Sequence, residues 1–171
     1  FLPAIARGQL RMLTVAATEP DSGADMASLE STARRDGDDW ILDAKKVLIS
    51  MAEHTQLMVL LVKTEEGPTL FLLDRADFPR GIEVQPIDLI TNRMATMLFV
   101  DELRVPDRMR LGPVGGGLQV LSGGFAPRRI NAAAEAIGSA RFLLERAIDH
   151  ATTRVTFGRP IGQNQGVQFP I

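Results

Sequence analysis

Hydrophobic residues in the first part of the chain occur in short runs that are separated by turn-forming residues. Turn chemistry is strong at Glu19-Pro-Asp-Ser-Gly23, Asp36-Gly-Asp38, Glu65-Glu-Gly-Pro68 and Pro79-Arg-Gly81. The runs that we expect to form strands span residues 12–17, 29–35, 39–42, 46–50, 57–63, 69–74, 82–86 and 96–103. Up to about Leu111 the pattern therefore predicts an antiparallel β-barrel or sandwich.

One predicted connection within this β-rich part is unusual. Residues 40–47, Trp-Ile-Leu-Asp-Ala-Lys-Lys-Val, have the pattern of a hairpin whose tip is Asp43-Ala44. A two-residue hairpin turn needs positive φ at both central residues, and Asn-Gly is the preferred pair there. We therefore expect either a wider turn or a strained backbone at Ala44.

From about Gly115 the hydrophobic period changes from that of a strand to that of a helix. A helix is expected from about Pro127 to Arg154, because proline is tolerated in a first turn, and a shorter helix from Gly117 to Gly124. The longer helix carries an apolar stripe formed by Ile130, Ala133, Ala134, Ile137, Ala140, Leu144, Ala147, Ile148 and Ala151. A single helix cannot bury its own stripe. Its partner is therefore the β part, the earlier helix, another subunit or sequence outside this chain.

Together these patterns predict an α+β fold, in which an antiparallel β-barrel or sandwich domain precedes long α-helices of an incomplete helical bundle. The 171 residues are 45% hydrophobic and 23% charged, which is enough apolar material for a packed core. The net charge of -2 disfavours nucleic acid as the main ligand. No apolar run approaches the roughly 20 residues that span a bilayer, and residues 1–7 lack the features of a signal peptide. We therefore expect a cytoplasmic protein.

Residue types that carry redox or metal chemistry are scarce. The chain has no cysteine, which excludes disulfides and thiolate sites, and it has two histidines, His54 and His150, too few for most metal clusters. Any redox chemistry therefore requires an organic cofactor. The run Gly115-Gly-Gly117 lies outside any Walker or G-x-G-x-x-G pattern, so a flexible lead into a helix is favoured over a phosphate-binding loop.

Several short motifs follow one another along the chain. They are residues 2–8 (Leu-Pro-Ala-Ile-Ala-Arg-Gly), 13–20 (Leu-Thr-Val-Ala-Ala-Thr-Glu-Pro), 22–25 (Ser-Gly-Ala-Asp), 45–50 (Lys-Lys-Val-Leu-Ile-Ser), Asn92-Arg93, 99–106 (Phe-Val-Asp-Glu-Leu-Arg-Val-Pro), 129–138 (Arg-Ile-Asn-Ala-Ala-Ala-Glu-Ala-Ile-Gly) and 154–165 (Arg-Val-Thr-Phe-Gly-Arg-Pro-Ile-Gly-Gln-Asn-Gln). In this order they resemble the acyl-CoA dehydrogenase family over nearly the whole chain. The resemblance implies that residues 1–11 end an N-terminal helical domain, 12–112 form a middle β domain, and 113–171 begin a C-terminal helical domain.

The resemblance also implies FAD as the cofactor. Thr18 would donate its hydroxyl to the pyrimidine edge of the flavin, and Val15 and Ala17 would face the ring. Ile49 would pack on the flavin, with the Ser50 hydroxyl near N5. From the residues alone, Thr18-Glu19-Pro20 is instead a strand-ending turn in which proline presets the backbone.

Three residues near the end of the chain match positions that reach the flavin of a neighbouring subunit. They are Arg154, Phe157 and Gln165, and the match implies a homodimer or a homotetramer. The guanidinium of Arg154 would bind the pyrophosphate, for which its planar fork is suited. From the residues alone, Arg154 is a cation at a helix C-terminus and Phe157 a core anchor.

Other positions depart from the family pattern. Leu48 stands where many members carry a tryptophan against the ring, and Ala24 where a serine commonly meets the acyl-CoA. Arg129 matches an arginine beside the acyl pocket, so Ala24 and Arg129 are the expected substrate-binding positions. Arg128 stands where a subset of the family has its catalytic glutamate, and an arginine cannot act as a base. Glu135 matches neither family position of the base.

The implied reaction is FAD-dependent α,β-dehydrogenation of an acyl-CoA thioester to the enoyl-CoA, with electron-transfer flavoprotein as the acceptor. The commoner position of the base lies beyond Ile171, so we expect a truncated chain that contains no catalytic residue and is inactive by itself. Two alternatives stay open. One is a non-catalytic or partner-dependent binding subunit, motivated by Leu48, Ala24 and Arg128. The other is an oxidase-type or nucleic-acid-associated member of the superfamily.

Overall fold

Most of the predicted strands form one sheet. Within the residues that the computed structural model describes, 1–10, 13–90 and 94–171, this sheet has eight strands. The strands are β1 (Leu13–Ala16), β2 (Thr32–Asp36), β3 (Asp39–Ser50), β4 (Leu57–Thr64), β5 (Gly67–Asp74), β6 (Ile82–Ile87), β7 (Ala95–Pro106) and β8 (Arg110–Leu111). A short helix, α1 (Leu2–Ala6), precedes them. Met12 and the Asn92-Arg93 motif lie outside the described residues.

The sheet is mostly antiparallel, with the order β6-β7-β3-β2-β4-β5-β8 and with β1 beside β4. Strands β1 and β2 both run parallel to β4. β1 pairs with the first half of β4, from Leu57, whereas β2 meets it at Lys63, so the two share one edge of β4 at different levels. The sheet does not close on itself. The predicted α+β class is confirmed, and its β part is an open sheet.

The hairpin predicted at Asp43-Ala44 is wrong, because β3 continues without a break from Asp39 to Ser50. The chain turns earlier, at residues 37–38, where Asp36 pairs with Asp39 and Gly37 has a φ of +64°. At Asp43 the partner strand β7 contains one extra residue, Glu102, with a φ of +43°. The Asp43 carboxylate accepts the N–H of Glu102 at 2.8 Å. The residues that the pattern indicated as a turn therefore lie opposite a β-bulge in a continuous strand.

The core of the sheet is built around the central strands. Nearly every residue of β4 is buried, so this strand is a continuous apolar run with no alternation of polar positions. The indole of Trp40 on β3 packs edge-on against the ring of Phe71 on β5, with 5.7 Å between ring centroids. These side chains and their neighbours form one hydrophobic cluster that extends along β3, β4, β5 and β7.

Two predicted helices are one continuous helix, α2, which runs from Gly117 to Thr153 and has Pro127 in its interior. The predicted start at Pro127 is therefore wrong, whereas the predicted end is off by one residue. Proline and the glycines before it are poor helix formers, which is why the pattern indicated a break. Among the described residues, no helix has both the length and the apolar character that crossing a membrane would need.

The apolar stripe on α2 is largely exposed. The side chains of Ile130 and Ile137 are 71% and 57% exposed, whereas Ala151 near the end of the helix is buried. The helix belongs mostly to the second of two compact units, which are Phe1–Ser122 and Gly123–Ile171. The second unit does not by itself cover this stripe.

The glycine run before α2 is held closely against the turn between β4 and β5. The N–H of Gly115 donates to the Thr69 hydroxyl at 2.8 Å, and Gly115 has a φ of +73°. A Cβ at Gly115 would lie 2.6 Å from the carbonyl oxygen of Glu66, and one at Gly117 would lie 2.8 Å from that of Pro68. The run leads into the helix as predicted, and close packing explains why glycine is required there.

Asp107, in the short turn after β7, accepts hydrogen bonds from two arginines and from an indole. Trp40 Nε1 donates to it at 2.7 Å, Arg35 Nη1 at 3.0 Å and Arg110 Nε at 3.1 Å. The hydrogen bonds from Arg110 and Trp40 lower the pKa of Asp107 from 3.8 to about 2. The carboxylate ties β3 to the end of β7.

We expect the free energy of unfolding of Asp107→Asn to fall less steeply between pH 4 and pH 2 than that of the wild type. The pKa of Asp107 is lower in the folded state, so its contribution is present above about pH 4 and is lost as the pH falls towards 2. Because the side chain is one-third exposed, that contribution is below about 1 kcal/mol. The measurement is urea unfolding at several pH values. If the free energies of unfolding of wild type and variant change in parallel down to pH 2, this prediction is wrong.

Candidate functional site

The segment that includes β1 and the residues after it lies beside the end of β3. The N–H of Val47 donates to the carbonyl of Thr18 at 3.0 Å. The hydroxyl of Thr14 donates to the carbonyl of Ser50 at 2.7 Å. The fold therefore brings together, in the first unit, two groups of candidate residues that are about thirty positions apart in the sequence.

The candidate residues of these two segments differ in exposure. On β1, Thr14 and Ala16 point into the core, while Val15 is half-buried on the other face, as the two-residue period of a strand requires. Ala17, directly after the strand, is also half-buried. The side chain of Ile49 is only 2% exposed and belongs to the hydrophobic core. The side chains of Val15 and Ala17 are thus available to a ligand. Ile49 can contact a ligand only through its backbone, because its side chain is buried.

A β-bulge at Leu48 shapes the end of β3. The pairing with β7 shifts by one residue between Lys46 and Ile49, and Leu48 has a φ of +57°. Its side chain is 54% exposed. A left-handed leucine costs about 1–2 kcal/mol, and such strain tends to occur at functional sites. No signal in the sequence indicated the bulge, because glycine, the usual residue at positive φ, is absent there.

The surface around the bulge combines apolar side chains with unpaired hydroxyls. Leu13, Leu48 and Met51 are 52%, 54% and 38% exposed. Within the described part of the chain, the hydroxyls of Thr18 and Ser50 have no hydrogen-bond partner. Apolar contact surface with a few hydroxyls at its edge suits a planar heterocycle that has polar groups on its rim, so these residues fit a flavin ring.

Behind this surface lies a buried ion pair that the sequence did not reveal. Lys46 is fully buried and Glu19 is 5% exposed, and Lys46 Nζ lies 2.6 Å from Glu19 Oε1. Glu19 also accepts the N–H groups of Glu30 at 2.6 Å and Ser31 at 3.1 Å, and Lys46 also donates to the carbonyl of Ala17 at 3.3 Å. All polar atoms of this pair therefore have partners.

The pKa values of the pair shift in the same direction for different reasons. Burial acts to raise the pKa of Glu19, but hydrogen bonds from Lys46 and from residues 30 and 31 outweigh it, so the pKa is lowered. Burial lowers the pKa of Lys46, and Glu19 offsets part of that effect. The carboxylate is thus held ionised by its donors, and the ammonium depends on that carboxylate for its charge.

A cleft on the other side of Glu19 has the wrong charge for phosphate. Besides Glu19, its acidic lining residues are Asp21, Glu30, Asp43 and Asp101, and its cation is Lys45. The phosphates of a nucleotide cofactor would be repelled there. Within the described ranges, no group of acidic or histidine side chains is arranged to hold a metal ion.

In the second unit, a small hairpin follows α2. It consists of β9 (Val155–Thr156) and β10 (Arg159–Pro160), joined by Phe157-Gly158. Both turn residues have positive φ, +52° and +79°, as a type I′ turn requires. The Phe157 side chain is fully exposed, so its interpretation as a core anchor is wrong. The tip of the hairpin offers an aromatic ring to solvent.

The hairpin is fastened to the end of α2. The N–H of Ile161 donates to the carbonyl of Arg154 at 2.9 Å, and a Cβ at Gly162 would lie 2.9 Å from the carbonyl oxygen of Ala151. Gln165 begins the short helix α3 (Gln165–Gln168) and is exposed. The Arg154 side chain is also exposed and has no polar partner among the described residues. The second unit thus presents Arg154, Phe157 and Gln165 on its surface.

The expected substrate positions lie in separate units. Ala24 is exposed in the loop after Glu19, next to the contact in which the Ser22 hydroxyl donates to the carbonyl of Asp25 at 2.6 Å. Arg129 lies on α2 beside Arg128, and both are exposed.

Comparison with known proteins identifies the class. The family model described as acyl-CoA dehydrogenase, middle domain, matches residues 14–101. The model described as acyl-CoA dehydrogenase, C-terminal domain, matches residues 115–171. This chain belongs to the acyl-CoA dehydrogenase family.

Individual relatives agree with this assignment. Acyl-CoA dehydrogenase FadE12 of Mycobacterium tuberculosis is 37% identical over 100% of this chain, which spans 45% of that protein. Two similar solved structures are a glutaryl-CoA dehydrogenase from Mycobacterium smegmatis in complex with FADH2 and a glutaryl-coenzyme A dehydrogenase in complex with glutaryl-CoA. The first has a TM-score of 0.85 at 29% identity, covering 99% of this chain and 44% of that one. The second has a TM-score of 0.84 at 30% identity, with the same two coverages. The chain therefore spans less than half the length of these relatives.

Proposed function

We propose that this chain forms the flavin-binding wall of an FAD-dependent acyl-CoA dehydrogenase that converts an acyl-CoA thioester to the enoyl-CoA. The observation that carries the proposal is the exposed apolar surface around Leu48, edged by the unpaired hydroxyls of Thr18 and Ser50. Two related structures support it, one in complex with FADH2 and one in complex with glutaryl-CoA.

In this proposal the chain's own residues bind and orient the cofactor. FAD supplies the acceptor for the hydride that leaves the β carbon of the acyl group. Thr18 and Ser50 offer hydroxyls to the polar edge of the ring, and Val15 and Ala17 offer apolar contact. Ile49 contributes its backbone, which the Thr96 hydroxyl holds by donating to the Ile49 carbonyl at 3.0 Å.

The exposed residues of the second unit serve the same cofactor from another subunit. Arg154 is a cation without a partner among the described residues, which suits the pyrophosphate of FAD. Phe157 and Gln165 provide an exposed ring and an exposed amide on the same unit. We therefore propose a homodimer or a homotetramer, in which these residues contact a flavin of the neighbouring subunit.

The substrate positions are proposed within this chain, whereas the catalytic base and the electron acceptor are proposed to lie outside it. Ala24 and Arg129 are the proposed substrate-binding positions, and Arg128 occupies the position of a possible catalytic base without being able to accept a proton. The base that removes the α proton is therefore proposed to lie in sequence beyond residue 171. Electron-transfer flavoprotein is the proposed acceptor of the electrons.

Anaerobic titration of the intact, FAD-loaded gene product with a panel of acyl-CoA thioesters tests this function. Loss of flavin absorbance near the oxidised maximum, with formation of the enoyl-CoA, is the expected result. A protein that binds FAD but is not reduced by any thioester would contradict the dehydrogenase proposal.

A non-catalytic binding subunit is the second candidate, and Leu48 is the observation that favours it. The position that carries a tryptophan in many members has here a strained, exposed leucine. Intact protein that stays colourless after addition of FAD, and supports activity only with a second polypeptide, would favour this candidate.

We expect Leu48→Trp to tighten FAD binding in the intact protein. An aromatic contact contributes about 0.5–1.5 kcal/mol beyond burial, which corresponds to a two- to twelvefold lower Kd. The exposure of Leu48 leaves room for the larger side chain. Fluorescence titration with FAD provides the measurement, and Leu111→Trp on β8 is the control. An unchanged Kd in Leu48→Trp would show that this position does not face the ring.

A further inference from the structure

Two adjacent residues of β3 hold three successive residues of the proposed flavin wall. Lys46 Nζ donates to the carbonyl of Ala17 and to the carboxylate of Glu19, and the N–H of Val47 donates to the carbonyl of Thr18 between them. Strand β1 ends at Ala16, so Ala17, Thr18 and Glu19 have no regular ladder of their own. Their position depends on these contacts.

We infer that Lys46 and Glu19 are positioning residues for the cofactor, an inference that rests on the proposed function. They hold the backbone at residues 17–19 so that the Thr18 hydroxyl is directed at the flavin. Neither side chain is available to a ligand, because Lys46 is fully buried and Glu19 nearly so. Their effect on the cofactor is therefore exerted through Ala17 and Thr18.

The hydrogen-bond geometry distinguishes this pair from ordinary core packing. The Glu19 carboxylate joins three segments, because it accepts from Lys46 on β3 and from the backbone of Glu30 and Ser31 before β2. Charge-assisted hydrogen bonds fix direction as well as distance. Apolar side chains of similar volume would fill the same space, but they would not fix the orientation of Thr18.

The position of Lys46 along β3 links both sides of the site. Lys46 pairs with Leu98 immediately before the bulge at Leu48, and Ser50 pairs with Ala95 just after it. The same residue thus anchors the strand from which Ser50 projects and the segment that carries Thr18. If a supporting contact of this kind is loosened, the groups that bind the ligand shift by a fraction of an ångström, which is enough to weaken binding.

The test compares Lys46→Met and Glu19→Gln with wild type in the intact gene product. Glu19→Gln keeps one of the two oxygens that accept the backbone N–H groups and leaves no buried charge unpaired on Glu19, so it is the milder variant if Lys46→Met folds poorly. Val105→Ala is the control for loss of stability, because Val105 is fully buried at the other end of the β3–β7 pair. It lies seven residues from Leu98 along β7, which is about 23 Å.

Two readouts separate positioning from stability. The first is amide hydrogen exchange of residues 14–19 in the protein without FAD. We expect this exchange to become faster in both variants and to stay unchanged in Val105→Ala. The second is FAD affinity well below the melting temperature, for which we expect a Kd about tenfold higher in Lys46→Met, together with a shifted absorption maximum of the bound flavin. Val105→Ala should retain the wild-type Kd and spectrum.

Unchanged exchange in both variants would overturn the inference, and so would an FAD affinity that falls equally in Lys46→Met and Val105→Ala. If wild-type protein does not bind FAD at all, the proposed function fails. The exchange measurement then still decides whether the pair holds residues 17–19. Failure of the proposed function and failure of the inference are therefore distinguishable.

Discussion

Replacement of Lys46 with methionine is expected to lower the free energy of unfolding by about 3–5 kcal/mol, because it leaves the buried carboxylate of Glu19 without its cation. Lys46 Nζ lies 2.6 Å from Glu19 Oε1, and both side chains are almost inaccessible to water. Methionine replaces much of the apolar stem of lysine, so the loss arises from the unpaired charge and the lost hydrogen bonds. Urea unfolding at neutral pH measures it.

The double variant Lys46→Met with Glu19→Gln separates the charge from the packing. Glutamine removes the buried charge but has one acceptor oxygen where the carboxylate has two, so it can accept the N–H group of Glu30 or of Ser31 in the wild-type way, and not both. We expect it to recover part of the lost stability. Glu19→Gln alone serves as the third corner of the cycle. A double variant that is as unstable as the sum of the two single variants would show that the residues are not coupled.

Replacement of Arg154 with methionine in the intact protein is expected to raise the Kd for FAD by about 10–100-fold. Hydrogen bonds to charged groups contribute about 1.5–3 kcal/mol, and each 1.4 kcal/mol corresponds to a factor of ten. The Arg154 side chain has no polar partner among the described residues, and its backbone bond to Ile161 is kept in the variant, so the replacement leaves the hairpin intact. The melting temperature of the apoprotein should therefore stay at the wild-type value.

Arg159→Met is the matched control for Arg154→Met. It removes the same charge from the same hairpin, but Arg159 Nη2 already donates to Asn164 Oδ1 at 2.8 Å. We expect its Kd for FAD to stay within about threefold of wild type, since long-range attraction between exposed charges is screened by salt. Equal losses in the two variants would indicate general electrostatic attraction, and no loss in Arg154→Met would remove this residue from the proposed site.

Strand positions were predictable where local pattern and tertiary environment agree. The turns at Gly37 and near Gly67 occur where the sequence placed turn chemistry, and the apolar runs on either side of the second turn became β4 and β5. Periodicity failed at Asp43, where an aspartate caps a bulge in a long strand. The side chain of Asp43 supplies an acceptor either to a turn or to a bulge, and the partner strand decides which one forms.

The candidate site was predictable only in part. The order of motifs placed Thr18 and Ser50 in one site, and the structure places their segments side by side. The exposure of Leu48 was not predictable, because it depends on how β3 pairs with β7. The partnership of Lys46 with Glu19 was hidden for a similar reason, since the two residues are far apart in sequence and an isolated lysine is ordinarily exposed.

The sequence alone was enough to predict the α+β class, most strand positions and the family resemblance, because turn chemistry, hydrophobic period and residue types are local properties. The tertiary structure decided that α2 is one helix through Pro127, that Phe157 is exposed at a hairpin tip, and that Lys46 holds the segment around Thr18. These features depend on which distant strands pair and which side chains lose contact with water. Those outcomes follow from the packing of the whole sheet, and no short window of sequence contains them.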